Sequence, residues 1–422
     1  MVGVPARALR GSARRVGDPA RQVMDYWSSE RVTMRHAFVA VSIASVTSLI
    51  AGVTLAGMQG QLERVEGLFV LIPVSIGMRG NIFGGLAARL GTSIHSGLFE
   101  VSSDRNGLLY QNVYAATLLT VGTAVMMGVL ARAIAGLLGL ETASLWDFIV
   151  VALVGGLLSS VVVLAVTIYL SITSFRRGWD LDSVGAPLIT AMGDVVTLPC
   201  ILAASYILRL EPLTDVLGGI ALVAAIAAVV RGWTTVRGVA RRIVRESFPI
   251  LCVAIVLDVL AGTVVQPRIE GVFQPYPALL IILPGFLENT GALGSVLAAR
   301  LGSKLHLGAV APTAVPGAVA LLDGTIIFVL GLTVYSITAI ATLGLATLIG
   351  ADYPGVLDFV GATMVGGMLA TLVASIIGYY AAIATYRFGL DPDNHTIPLV
   401  TSGMDLVGVI CLVAALVMFG VA

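Results

Sequence analysis

Eleven long apolar stretches dominate this sequence and restrict the environment in which it can fold. Each holds roughly 20 residues, the length that a helix needs to cross the ~30 Å hydrocarbon core of a bilayer. Of the 422 residues, 58% are hydrophobic and only 11% are charged. Because lipid cannot hydrogen-bond to an open backbone, such runs favour helices, and we predict an all-α polytopic membrane protein. The eleven spans are expected near residues 36–57, 68–90, 112–138, 145–175, 186–208, 213–230, 248–266, 277–299, 318–349, 355–386 and 397–421.

The basic residues are unevenly distributed around these spans. Lys and Arg favour the cytoplasmic ends of membrane helices, and an eleven-span arrangement puts the Arg-rich residues 1–35 and the arginine cluster at 231–245 on one side. We therefore predict a cytoplasmic N-terminus and an external C-terminus in the plasma (inner) membrane. The formal net charge of zero excludes a strongly basic nucleic-acid-binding protein.

Two segments of the sequence recur at one spacing. The segment "PVSIGMRGNIFGGLAARLGTSIHSG" from Pro73 is echoed by "PGFLENTGALGSVLAARLGSKLHLG" from Pro284, a shift of 211 residues. The same shift places "DLDSVGAPLITAMGDVV" from Asp180 on "DPDNHTIPLVTSGMDLV" from Asp391. Chance similarity between apolar helices would not keep charged and kinking positions in register. The equivalent pairs are Arg89 with Arg300, His95 with His306, Pro187 with Pro398, Thr190 with Thr401, and Asp194 with Asp405.

This register predicts two five-helix units joined by a linker helix. Because the linker adds one span, both units should have the same orientation and be related by a pseudo-twofold axis along the membrane normal. A chain that carries both units can replace a homodimer, so we expect a functional monomer. The predicted divisions are a cytoplasmic tail at 1–35, a first unit at 36–210, a linker helix and basic loop at 211–247, and a second unit at 248–422.

Asp194 and Asp405 lie inside apolar runs at equivalent positions of the two units. An ionised carboxylate at the bilayer centre costs roughly 2.5 to 3.5 kcal/mol on insertion scales, so such residues face a cavity or a partner and often mark a transport path. Thr190 and Thr401 precede them by four residues, which places a hydroxyl one turn away on the same helix face. The alternative is a structural carboxylate held by neighbouring hydroxyls or by Arg79.

The chemistry of this pair of aspartates favours a hard divalent cation. Two facing carboxylates repel each other when empty, and a divalent cation relieves that repulsion. Carboxylate, hydroxyl, carbonyl and water oxygens suit Mg²⁺, Ca²⁺ or Mn²⁺, whereas softer metals would require clustered thiolates or imidazoles. With only two charged ligands, the favoured ion is one that keeps much of its water, as Mg²⁺ does.

The motifs "DPDNHTIPLVTSGMD", "LDSVGAPLITAMGD" and "PVSIGMRGN" closely resemble the membrane domain of MgtE-type magnesium transporters. The chain is especially similar to the solute-carrier relatives that fuse two such domains, and the resemblance covers residues 36–422. It implies that Asp194 and Asp405 match the pore aspartate that binds hydrated Mg²⁺ between two domains. It also implies a Gly-Asn pattern that makes Asn81 a candidate ligand. The regulatory domains of bacterial members have no counterpart here.

The two units differ at positions next to these motifs. Where the first unit reads "GMRGN", the second reads "FLENTG", which replaces Arg79 by Thr290 and introduces Glu288. Arg79 is expected either to pair with Glu288 across the pseudo-axis or to reach a backbone carbonyl. Asp258 matches a small polar position near Ser48, and we expect it either to join the metal site or to make a buried structural hydrogen bond.

Further polar residues lie close to the cytoplasmic ends of the spans. The acidic pairs Asp180 with Asp182 and Asp391 with Asp393 could concentrate cations or cap helix N-termini, a role that suits acidic residues equally well. The repeated histidines, His95 and His306, favour a structural role.

The sequence thus predicts divalent-cation transport, with Mg²⁺ as the transported ion and no further cofactor. One alternative is an antiporter that couples the divalent ion to Na⁺ or protons. A remote alternative is an intramembrane enzyme whose aspartates activate water, but no nucleophile and base dyad accompanies them, and no phosphate-binding loop indicates ATP hydrolysis. The candidate metal ligands are Asp194, Asp405, Thr190, Thr401, Asn81, Asp258 and Glu288.

Overall fold

A computed structural model of the protein describes residues 19–102, 104–177, 181–209, 211–390 and 395–422. The described residues form helices and contain no β-strand. Eleven of the helical spans are long and apolar enough to cross a membrane, which confirms the predicted number. The helices are α1 Pro19–Ser29, α2 Arg31–Gly57, α3 Gln59–Arg64, α4 Leu71–Arg79, α5 Gly85–His95, α6 Leu108–Leu137, α7 Leu145–Arg177, α8 Leu181–Ser205, α9 Glu211–Thr234, α10 Gly238–Val265, α11 Pro277–His306, α12 Ala318–Ile349, α13 Val356–Phe388 and α14 Ile397–Met418.

The second span differs between the two halves of the chain. In the first half, α4 and α5 are joined by a π-helical turn at Gly80–Gly84, whereas α11 is continuous in the second half and contains Pro284. The glycines at both ends of the π-helical turn weaken the regular helix, since Gly loses the most backbone freedom on folding. A π-helical turn within a helix often marks a functional region.

Helix α10 begins at Gly238, ten residues before the span expected near 248–266. The preceding basic segment continues the helix because it also has an apolar face. Ile243, Val244 and Ser247 are buried on that face, and their spacing of one, three and four residues is helical. The hydropathy pattern missed this extension because arginines fill the other faces.

The first helix of each half packs against the opposite half. Helix α2 contacts α11 and α12 in addition to α8, while α10 contacts α4 and α6 in addition to α14. We refer to α2 and α4 to α8 as the first unit, and to α10 to α14 as the second. The two units therefore share a packed interface along both first helices, and α9 packs on the outside against α6 and α7.

Glycines allow the closest approach at this shared interface. A Cβ atom on Gly52 in α2 would lie 1.9 Å from the carbonyl oxygen of Ile281, and one on Gly262 in α10 would lie 2.8 Å from the carbonyl oxygen of Val70. Val70 and Ile281 are equivalent under the 211-residue shift. Small residues of this kind let membrane helices approach until their backbones touch, and here the same contact occurs twice.

A second pair of equivalent glycines lies where α7 crosses α8 in the first unit and where α13 crosses α14 in the second. A Cβ atom on Gly155 would lie 3.1 Å from the Cα atom of Ile201, and one on Gly366 would lie 3.1 Å from the Cα atom of Leu412. The 211-residue shift relates the two glycines to each other, and it also relates Ile201 to Leu412. The sequence repeat is thus also a repeat of helix packing.

Helix α1 docks on the second unit through a buried ionic cluster. The fully buried Asp323 accepts hydrogen bonds from the Tyr26 hydroxyl at 2.8 Å, Arg300 Nη2 at 2.6 Å and Lys304 Nζ at 2.7 Å. Trp27 Nε1 adds a bond of 3.0 Å to the Thr325 hydroxyl. Burial raises the pKa of the Tyr26 phenol, so its hydroxyl keeps the proton it donates at neutral pH. The residues assigned from sequence to a tail thus include a docked helix.

The first unit has a related contact in which an amide takes the place of the carboxylate. Arg89 Nε donates to the Asn112 amide oxygen at 3.0 Å, and Asn112 and Ser93 occupy the positions of Asp323 and Lys304. The carboxylate thus occurs in the unit on which α1 docks, and the amide occurs in the other unit.

Changing Asp323 to Asn should destabilise the protein by about 3 kcal/mol, because two cations then lose their buried carboxylate. This value lies at the low end for buried pairs, since the Arg300 and Lys304 side chains are 10% and 19% exposed. The double variant Asp323→Asn/Lys304→Ser has the residue types of the first unit at these positions and should lose less stability than the single variant. Thermal unfolding of the purified variants measures both effects. Equal losses of stability in the single and the double variant would contradict this prediction.

Candidate metal-ion site between the two units

A cavity of about 340 Å³ lies between the two units. Residues from α2, α4, α5, α8 and the π-helical turn of the first unit line it on one side, and residues from α11 and α14 line it on the other. Most of its wall is apolar, so its few polar groups determine what it can bind. The polar side chains in the wall are Asn81, Thr190, Asp194, Glu288, Ser295, Thr401 and Asp405.

Three carboxylates face this cavity. Asp194 is only 1% exposed, and its Oδ2 accepts a hydrogen bond of 2.9 Å from the Ser48 hydroxyl. Its Oδ1 has no hydrogen-bond partner among the described residues. Glu288 and Asp405 are half-buried and lie close enough to Asp194 to interact electrostatically. Carboxyl groups from both units are therefore concentrated in a largely apolar space.

Hydroxyl and amide groups connect the units beside these carboxylates. The Thr401 hydroxyl donates to Asn81 Oδ1 at 3.0 Å, and Asn81 Nδ2 donates to the Ser402 hydroxyl at 3.2 Å. The methyl group of Thr190 lies 3.1 Å from where a Cβ atom on Gly80 would be. Asn81 thus joins the π-helical turn of the first unit to α14 of the second.

Asp258 lies next to the cavity rather than in its wall. This fully buried carboxylate neighbours Asp405 and Ser402, and its Oδ2 would lie 2.6 Å from a Cβ atom on Gly77. When α2 and α10 are aligned on Gly52 and Gly262, Asp258 occupies the position of Ser48. Each cavity aspartate thus has a polar neighbour from the first helix of its own unit.

Arg79 points away from the cavity, so the predicted charge pair with Glu288 is wrong. Its guanidinium is fully buried and donates from Nη1 to the carbonyl oxygen of Gly156 at 2.6 Å and to the Ser160 hydroxyl. Within the described residues it makes no ion pair. The structure instead agrees with the alternative expectation, in which Arg79 reaches a backbone carbonyl. Among the described residues, the cavity wall therefore contains no cation.

A difference in packing between the units explains the direction of Arg79. The second unit has Thr290 at the position of Arg79 and Tyr335 at the position of Ala124. Tyr335 is fully buried, and its ring fills the space beside Gly367, the counterpart of the glycine that Arg79 contacts. One large side chain thus fills each pocket, contributed by a different helix in each unit.

Giving the space beside Gly156 the residues found beside Gly367 tests this difference in packing. Arg79→Thr should cost about 2 to 5 kcal/mol because it leaves a cavity, and Ala124→Tyr should cost about 1 to 3 kcal/mol or more by overpacking. The combined variant should be more stable than the sum of the single losses by at least about 1 kcal/mol, since the residues share one space. Unfolding of the three purified variants measures the coupling, and additive losses would contradict the exchange.

Within the described residues, no group of three or more His, Cys, Asp or Glu side chains converges closely enough to hold a metal ion. The three carboxylates in the cavity wall, those of Asp194, Glu288 and Asp405, come from three different helices.

A family comparison matches both repeated segments of the chain. The family model described as "MgtE: Divalent cation transporter" matches residues 72–204 and 283–415, two segments related by the 211-residue shift. The chain belongs to the MgtE family. It is therefore a transporter of a divalent-cation family and not an enzyme, as the sequence predicted. The two matched segments contain all of the predicted ligands except Asp258.

Curated relatives of this MgtE-family chain include eukaryotic solute carriers. It is 23% identical to mouse solute carrier family 41 member 3 over 82% of this chain and 73% of the mouse protein. It is 22% identical to the rat protein of that name over 82% and 78% of the two chains. Identity to Xenopus laevis solute carrier family 41 member 2 is 23% over 63% and 48%. No solved structure matches the chain significantly.

The cavity contains six of the seven predicted ligands, and the seventh, Asp258, lies beside it. Ser48, the partner of Asp194, and Ser402, the partner of Asn81, were not predicted from the sequence. A serine in an apolar span is only a weak indication of a buried polar contact. His306 Nδ1 donates to the carbonyl oxygen of Gly302 at 2.8 Å, and its ring packs edge-on against Tyr386. Asp180, Asp391 and Asp393, and the side chain of Asp182, lie outside the described residues.

Proposed function

We propose that the protein transports Mg²⁺ across the membrane along a path between its two units, with Asp194 and Asp405 forming one shared ion site. The observation that supports this proposal most strongly is the cavity wall, to which each unit contributes its repeated aspartate. A site at the interface of two repeats is also where transporters built from repeats bind their substrates.

The size of the cavity favours a hydrated ion. Its volume of about 340 Å³ is roughly ten times the volume that one water molecule occupies in the liquid, which is about 30 Å³. Mg²⁺ gives up its water reluctantly and is bound by few carboxylates, so the aspartates would contact it through its water shell.

The remaining polar groups then have secondary roles. Glu288 would add a third negative charge on the side of the second unit, where the first unit has Gly77. The Thr190 and Thr401 hydroxyls and the Asn81 amide would orient the ion's water molecules. Neutral groups of this kind contribute dipoles rather than net charge, so we expect smaller effects from their removal.

A second candidate function is coupled antiport with Na⁺ or protons. It is favoured by Asp258, a fully buried carboxylate that lies beside Asp405 without lining the cavity. Such a group could hold a monovalent ion while the divalent ion leaves. Charged groups in membrane-spanning segments often belong to proton or ion pathways.

We further propose that the chain lies in the plasma membrane with its N-terminus in the cytoplasm, as the positions of its basic residues favour. The linker helix α9 would keep both units in one orientation, and a single chain would then contain the whole site. Mg²⁺ flux should accordingly be measurable from a monomeric preparation.

Flux into proteoliposomes tests this function. A fluorescent indicator inside the vesicles reports uptake of Mg²⁺, Mn²⁺, Co²⁺ or Ca²⁺, first without and then with a Na⁺ or proton gradient. We expect Mg²⁺ uptake without either gradient. Uptake that requires a gradient would favour the antiporter, and absence of divalent uptake under every condition would contradict the proposal.

A further inference from the structure

An unusually basic surface lies where the linker helix meets the second unit. Helix α9 ends at Thr234 and α10 begins at Gly238, so the ends of two membrane-spanning helices lie side by side. Within 15 residues this junction carries five arginines, which we call the arginine surface. They are Arg231, Arg237, Arg241, Arg242 and Arg245.

Little protein charge balances the arginine surface. Among the described residues, its ion pairs are limited to Arg242 with Glu246, at 2.8 Å. By contrast, Arg300 and Lys304 near α1 each contact the carboxylate of Asp323. The arginine surface therefore has a net positive charge that an outside anion can neutralise.

Aromatic side chains hold part of this surface in place. The Arg237 guanidinium lies 5.0 Å from the ring centre of Tyr114 and 5.4 Å from that of Tyr110, and Arg231 Nε donates to the Tyr114 hydroxyl at 3.1 Å. These contacts orient the guanidinium groups without neutralising them, since a cation over an aromatic ring keeps its charge.

Apolar side chains beside the arginines face outward. Trp233 is 42% exposed and Val236 is 91% exposed. Trp is enriched at the boundary between lipid and water, where its ring can contact both. An exposed Trp and Val between arginines, at the ends of two membrane-spanning helices, suit the headgroup region of a bilayer.

We propose that the arginine surface binds the phosphate groups of anionic phospholipids. Guanidinium groups bind phosphate oxygens through paired hydrogen bonds, and clusters of arginines next to membrane helices attract anionic lipids. A lipid phosphate fits better than a soluble one, because Trp233 and Val236 can enter the adjoining acyl region. The side chains form this site, since the first amides of α10, at Val239 and Ala240, already donate to Gln111.

Binding here would affect how the two units are joined. Helix α9 packs on α6 and α7 of the first unit, and α10 is the first helix of the second unit and also packs on α6. A lipid that bridges the arginines of α9 and α10 would hold their junction against the first unit. This inference does not depend on the transported ion.

Lipid-dependent stability of the full-length protein tests the proposal. Thermal unfolding in detergent is measured with added phosphatidylglycerol, phosphatidylcholine or glycerol phosphate. We compare the wild type with Arg231→Gln/Arg241→Gln/Arg245→Gln, and bound lipid is counted by native mass spectrometry. Phosphatidylglycerol alone should raise the midpoint of the wild type, and the triple variant should bind it about tenfold more weakly.

A matched control separates local binding from total charge. The variant Arg21→Gln/Arg31→Gln/Arg105→Gln removes the same charge from three exposed residues elsewhere and should respond to phosphatidylglycerol as the wild type does. The single change Arg241→Gln covers the case in which the triple variant misfolds, since this side chain makes no hydrogen bond or ion pair within the described residues, and about threefold weaker binding is expected. An unchanged response in the arginine-surface variants, an equal loss in the control, or equal stabilisation by glycerol phosphate would overturn the proposal.

Discussion

The double variant Asp194→Asn/Asp405→Asn should lose all divalent-cation flux while remaining folded. Asn keeps the size and much of the hydrogen bonding of Asp but removes both repeated charges from the cavity between the units. Empty carboxylates repel each other, so their neutralisation should leave thermal stability equal or higher. Uptake into proteoliposomes and thermal unfolding, measured on the same preparations, give both results.

Each single Asp→Asn change should weaken divalent-ion binding at least about tenfold, because loss of an interaction of roughly 1.4 kcal/mol already has that effect. Thr190→Val and Thr401→Val should have smaller effects. Asp352→Asn, an exposed position outside the cavity, serves as the control and should transport normally. Near-normal flux in the double variant would exclude the site assignment. Lower thermal stability of each single variant with unchanged ion affinity would instead assign both aspartates a structural role.

Gly52→Val and Gly262→Val should each destabilise the protein strongly. A Cβ atom at these positions would lie 1.9 Å and 2.8 Å from the carbonyl oxygens of Ile281 and Val70. Because both obstacles are backbone atoms, the helices themselves must separate. Overpacking of side chains costs about 1 to 3 kcal/mol, and we expect these values at or above the upper end. Unfolding in detergent and the yield of folded protein measure the effect.

Open glycines provide the control for this prediction. Gly57 in α2 and Gly324 in α12 would each gain a Cβ atom without any neighbour within 4 Å. Gly57→Val and Gly324→Val should therefore change the free energy of unfolding by less than about 1 kcal/mol, the scale of helix propensity differences. If Gly52→Val were as mild as Gly57→Val, the close contact between the two units would be contradicted.

The spans and the repeat were predictable because both follow from one-dimensional patterns. Length and hydropathy fix the number of membrane helices, since a long continuous apolar run satisfies its own backbone in lipid as a helix. The 211-residue register was visible because it preserves polar residues, such as Asp194 and Asp405, and prolines, such as Pro187 and Pro398. The same register then appears in the helix crossings at Gly155 and Gly366.

The direction of the Arg79 side chain was not predictable from this pattern. Its choice between Glu288 and a backbone carbonyl depends on the space beside Gly156, which Ala124 leaves open. In the second unit Tyr335 fills the equivalent space. Such volume exchange between helices is a property of packing in three dimensions, and a single sequence does not reveal which positions share a pocket.

The polar neighbours of the cavity were missed for the same reason. Ser48 contacts Asp194 across 146 residues, and Ser402 contacts Asn81 across 321 residues. Nothing in the local sequence distinguishes these serines from others in apolar spans. The early start of α10 was missed because hydropathy alone cannot recognise a helix that carries arginines on its exposed faces.

The number of Mg²⁺ ions bound per chain tests the shared site most directly. Equilibrium binding should give one high-affinity ion for the wild type, and Asp194→Asn and Asp405→Asn should each weaken that same ion by a similar factor, because both carboxylates face one cavity. Two ions in the wild type, with each variant losing one and keeping the other at full affinity, would show two separate sites and contradict the proposed function.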